Sequence, residues 1–74
     1  MQDLEREIYD VLAKSEATVG LGSSETANKL IEVARPFYKK ADHTGKYSII
    51  NRLNAMRKEP GIPFPENLSE VLGN

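Results

Sequence analysis

The sequence predicts an all-α fold, a small single-domain bundle of four or five short helices. Three observations lead there. Apolar residues recur at helical spacing in three separate stretches. Glycine, serine, aspartate and proline gather between those stretches, where chains turn. The chain has 74 residues, 39% apolar and 28% charged, which suits one globular domain rather than disorder or several domains.

The elements follow in order. "DLEREIYDVLAK" places Leu4, Ile8, Val11 and Leu12 on one stripe, with Asp3 and Glu5 near the positive N-terminal end of that helix. "ATVGLGSS" breaks the pattern, and Ser23 or Ser24 is placed to cap the next helix. "SETANKLIEVA" resumes it through Ala27, Leu30, Ile31 and Ala34. Pro36 then lacks an N–H and disfavours helical geometry at Arg35. Either the second helix stops near Ala34 and Pro36 starts a short helix anchored by Phe37, or one longer helix kinks there. The break is the expectation carried forward. "DHTG" reads as a turn in which Gly45 takes a left-handed conformation. A helix from Lys46 to Lys58 points Ile49, Ile50, Leu53 and Met56 inward. "EPGIPFP" reads as an extended proline-rich arm over residues 59–65, pinned by Ile62 and Phe64. Pro65 opens a last short helix, "ENLSEVL", which Gly73 stops.

Charge is segregated along the chain. Residues 1–34 carry seven acids and three bases, residues 35–59 seven bases and two acids, and the remainder two acids. The net charges are −4, +5 and −2, so the basic third is where an anionic partner would be met. There are no cysteines, hence no disulfide and no thiolate metal site. The first residues lack the pattern of a secretory signal, and no apolar run reaches the length of a membrane span. The protein is therefore expected in the cytoplasm.

Catalytic chemistry finds little support. The single histidine, His43, falls in the expected turn beside Asp42. Asp3, Glu5, Glu7 and Asp10 fall mostly on the outer face of the first helix, and no metal-ligand spacing occurs. "GLGSS" follows a helix and lacks the phosphate-gripping lysine, and "TGKY" has Tyr47 where a P-loop needs serine or threonine. The expectation is a non-enzyme with no cofactor, no metal and no small-molecule substrate.

The basic third is the feature with functional content. The outer side of the 46–58 helix presents Lys46, Tyr47, Ser48, Asn51, Asn54 and Lys58, with Arg52 at its edge and Lys39 and Lys40 beside it. Drawn as a helix-turn-helix, Tyr47, Ser48, Asn51 and Arg52 would meet base edges in the major groove. Lys39, Lys40, Lys46 and Lys58 would hold phosphates. The register is imperfect. With Ala41 and Gly45 in the motif's small-residue positions, its apolar pair falls on Asn51 and Asn54, one place after Ile50 and Leu53. A solvated face on an ordinary bundle helix is the plain alternative.

The order of "EIYDVL", "KLIEVARPFYKK", "IINRLNAMR" and "NLSEVLG" resembles the immunity proteins of the enterocin A and pediocin-like bacteriocins. "INRL" at Ile50–Leu53 is the most family-like piece, and Pro36 departs from the pattern. The resemblance implies a small cytosolic four-helix bundle that protects a producing bacterium from its own toxin. It also implies a membrane-associated protein partner, the mannose phosphotransferase permease, engaged from the inner face. The function expected is protein–protein interaction, immunity-like in its specific form, with a helix-turn-helix-type DNA-binding regulator as the alternative. The binding residues expected either way are Lys39, Lys40, Lys46, Tyr47, Ser48, Asn51, Arg52 and Lys58. A homodimer is a further expectation, through an apolar strip that a short last helix would leave open.

Overall fold

In the computed structural model, which describes residues 2–73, four helices surround one core: α1 (Gln2–Ala17), α2 (Ser24–Lys40), α3 (His43–Lys58) and α4 (Leu68–Gly73). Met1 and Asn74, the ends of the expected domain, lie outside the described residues. No strand occurs among the described residues. The radius of gyration of 11.4 Å matches the about 11 Å of a fully compacted chain of this length.

The stripe Leu4, Ile8 and Val11 buries α1 against α2, with Leu12 packed at the margin. Ser15 carries the same face one turn further and is buried. The carbonyl of Ser15 then accepts the N–H groups of Thr18, Val19 and Gly20, which closes the helix. Ser23 caps α2, its hydroxyl accepting the Thr26 N–H at 3.2 Å. Thr26 is fully buried and donates its hydroxyl to the Gly20 carbonyl at 2.8 Å, fastening the loop to the helix it introduces.

Three local expectations are corrected. First, Pro36 does not end a helix: α2 runs unbroken from Ser24 to Lys40, so the bundle has four helices and Phe37 belongs to α2. The reason lies in the stripe. Ala27, Leu30, Ile31 and Ala34 are buried, and Phe37, Tyr38 and Ala41 continue the same face against the core beyond the proline. Pro36 itself points to solvent, so its ring displaces no packing. Packing the half-buried Phe37 and Tyr38, each worth less than the about 1.5–3 kcal/mol of a fully buried side chain, offsets part of a proline penalty of about 3 kcal/mol.

Second, "DHTG" is not a separate turn with a left-handed glycine. Asp42 is the N-cap of α3, its carboxylate accepting the Gly45 N–H at 2.8 Å, and His43 is already helical. The positive-φ residues among the described ones are Gly20 and Gly61. Gly45 serves a close approach instead. A Cβ there would stand 2.9 Å from the Cβ of Ala41, because only Ala41 and Asp42 separate α2 from α3. The turn between the two helices therefore lies at Ala41–Asp42, ahead of the glycine.

Third, the last helix begins at Leu68, so Pro65, Glu66 and Asn67 stand outside it. The Asn67 carbonyl accepts the N–H groups of Glu70 and Val71, both at 3.1 Å, and starts the helix. After a turn at Glu59 and Pro60, residues 61–65 form neither helix nor strand. Gly61, at φ 97°, turns the chain back so that the N–H groups of Gly61 and Ile62 both reach the Met56 carbonyl. Ile62 is then fully buried and Phe64 nearly so, while the Arg57 guanidinium donates to the Pro65 carbonyl.

Candidate functional site

Because α2 and α3 are joined by two residues, the end of one helix and the start of the other form a single surface. Lys39 and Lys40 end α2 and are exposed, and Lys46, Tyr47 and Ser48 follow in the first turns of α3. Tyr47 is 66% exposed, the most exposed of the large apolar side chains. Asn51 is also exposed. Lys58 is exposed at the far end, about 18 Å from Lys46 along the helix at the usual rise. Six of the eight expected residues thus lie open on this surface, and Lys46 and Arg52 are half-buried.

Arg52 is engaged within the protein. Its Nε donates to Glu5 Oε1 at 2.8 Å and its Nη2 to Glu5 Oε2 at 3.1 Å, a two-pronged pair that joins α3 to α1. The hydrogen bond from Arg52 holds the Glu5 carboxyl below the ordinary carboxylate range, against the opposing effect of desolvation. The same bond raises the Arg52 pKa further, with smaller contributions from Tyr9. A guanidinium held in this way has two donors committed and is poorly placed to read a base.

Lys46 lies differently. Its ammonium sits 5.5 Å from the ring centroid of Tyr38 in α2, within cation–π range. Among the described residues the ion pairs are Lys14–Asp10 and Arg52–Glu5, so Lys39, Lys40, Lys46 and Lys58 have no carboxylate partner. Beside Lys46 a shallow basin of about 300 Å³ opens between Tyr38, Tyr47 and Ile50, with His43 and Ser69 at its edge. Its floor is apolar and comes from α2 and α3, and Ser69 brings the start of α4 to its rim.

Periodicity alone does not reveal this basin. Ile50 reads as core and His43 as a turn residue, and Tyr38 carries no expected role, yet all three line it. Ile50 is packed against the core on one side and half-open on the other. The signal that could have found it was the spacing of Tyr47 and Ile50 one turn apart, i and i+3, with one of the pair on the polar side.

A second, larger cleft of about 490 Å³ lies between α1 and α2, lined by Val11, Val19 and Val33 and by charges of both signs. No group of three or more His, Cys, Asp or Glu side chains able to hold a metal occurs among the described residues. No described helix is long and apolar enough to cross a membrane. Comparison with protein-family models, with curated proteins and with solved structures finds no match to this chain.

Proposed function

We propose that this protein is a non-enzymatic binding module that engages a protein partner in the cytoplasm through the surface formed by the end of α2 and the first half of α3. The observation that carries this reading is the exposed Tyr47 beside an apolar basin, with Lys46, which has no carboxylate partner, at its edge. Large exposed aromatics next to apolar concavities are the usual anchors of protein interfaces. Lys39, Lys40 and Lys46 add steering of an oppositely charged partner.

The specific form of this function, bacteriocin immunity with a membrane-associated partner, rests on the ordered resemblance of the helical segments. Its test is to produce the chain in a bacteriocin-sensitive strain. Protection that disappears with Tyr47→Ala supports immunity. No protection from any pediocin-like bacteriocin removes it while leaving the interaction surface to be tested by direct binding.

The +5 charge of residues 35–59 favours DNA as the second reading. An NMR titration of the labelled protein with mixed-sequence duplex, at low salt and near physiological salt, separates the two. Salt-sensitive shifts spread from Lys39 to Lys58 support DNA contact, since each neutralised phosphate steepens the salt dependence. Unmoved resonances at low salt leave α3 without a DNA role.

A further inference from the structure

We propose that the basin between Tyr38, Tyr47 and Ile50 receives an acidic peptide segment carrying one large apolar side chain. This inference rests on the reading of the α2–α3 surface as protein-binding and names the chemistry of its partner.

The apolar half of the argument is the basin itself. Two tyrosine rings and an isoleucine form its floor, and its volume is about 300 Å³, at the small end of ligand pockets. That is room for one anchoring side chain, not for a drug-sized molecule or a whole helix. Tyr47 has only two side-chain torsions, so little side-chain entropy is lost when a partner covers it.

The acidic half comes from the charges around that floor. Lys46 and His43 line the basin. The acids close to the basin in the chain are already occupied. The Asp42 carboxylate caps Gly45, and the Glu70 carboxylate accepts from the Asn67 amide at 3.4 Å. Lys46 at the basin edge is thus unpaired, while the Asp42 and Glu70 carboxylates, which keep their charge, face these local donors and not its ammonium. An aspartate or glutamate flanking the anchor would take the position over Lys46 that no residue of this chain fills.

A duplex fits this floor less well. Its outer surface is phosphate and sugar, which gain nothing from an apolar basin.

The test is to pan a random dodecapeptide display library against the full chain and to map a synthetic copy of the winning peptide by NMR. The expected winners carry aspartate or glutamate beside one Leu, Phe or Trp, and shift the resonances of Tyr38, Tyr47, Ile50 and Ser69. Lys46→Glu and Tyr47→Ala should each weaken that peptide by about tenfold or more. Both side chains lie outside the core, and far-UV circular dichroism checks that the variants stay folded. Winners that seat in the basin but carry no acid overturn the charge requirement and leave the protein-binding reading standing. Winners that map to the α1–α2 cleft, or no winner at all, overturn both. Concentration-dependent shifts of the basin in the protein alone would make a second copy the occupant and also overturn the proposal.

Discussion

Gly45→Ala is the substitution that bears most directly on how α2 hands over to α3. At an open helical position this change is stabilising by about 1 kcal/mol, because alanine is the better helix former. Here the new Cβ would stand 2.9 Å from the Ala41 Cβ and 3.2 Å from Asp42 Oδ1. Carbon atoms normally rest about 3.5–4.0 Å apart. A Cβ has no rotamer with which to retreat, so the two-residue corner must open by more than half an ångström. Overpacking of this kind costs about 1–3 kcal/mol. The first bond strained is the Asp42 cap at 2.8 Å, worth about 1 kcal/mol. The net expectation is a loss of about 1–2 kcal/mol, or a fall in Tm on the order of 5–15 °C for a domain of this size. Urea and thermal unfolding followed by circular dichroism read it. Ala41→Gly in the same chain removes the facing Cβ, so the double variant should recover about 1 kcal/mol relative to the sum of the two single changes. A Gly45→Ala protein as stable as the parent, with no coupling to position 41, would refute the close-approach account of this corner.

Three further outcomes follow from the packing. Pro36→Ala restores an N–H inside a continuous helix at an exposed position, and should stabilise by about 1–3 kcal/mol after the added freedom of the unfolded chain is subtracted; a lower Tm would contradict the unbroken helix. Ile62→Ala removes a fully buried side chain and should cost about 2–5 kcal/mol, most of what a core this small supplies, so the variant should show little cooperative unfolding at room temperature. The depressed Glu5 carboxyl contributes stability at pH values above its unfolded-state pKa, and loses it as pH falls through the lower folded value. With both partners more than a third open to solvent on average, screening holds that contribution to about 1 kcal/mol or less. Glu5→Gln should therefore lower Tm slightly at neutral pH and converge with the parent in acid, and a gap that persists in strong acid would assign the effect to something other than this ion pair.

The parts of the fold legible in the sequence are those set by neighbours along the chain. The stripe from Leu4 to Leu12, the Ser23 cap, the inward face of α3 and the pinning of the arm by Ile62 and Phe64 all follow from local spacing and turn chemistry. Pro36 and Asp42 show where a local rule has two outcomes. A proline stops a helix unless the stripe beyond it has a core to meet, and Phe37 and Tyr38 have one. An aspartate three residues before a glycine makes a turn or an N-cap, and closeness to the preceding helix decides between them. The Glu5–Arg52 pair spans 47 positions and leaves no local trace. The basin draws on three helices and is invisible for the same reason.

That distinction also bears on which reading of α3 the chain itself favours. Along the helix the exposed side changes character: Tyr47 and the half-open Ile50 come first, Asn51, Asn54 and Lys58 later. The DNA reading sets Tyr47, Ser48, Asn51 and Arg52 at base edges, and of these Arg52 would carry guanine recognition. The fold commits Arg52 to Glu5, so base recognition there would first have to break a two-pronged pair. A protein contact needs only the first half, where the rings are in place and the lysines lack carboxylate partners. The same positive charge therefore serves the two functions unequally. On the first half of α3 it flanks the apolar basin, whereas on the second half it remains as Lys58 beside two amides, without a free arginine.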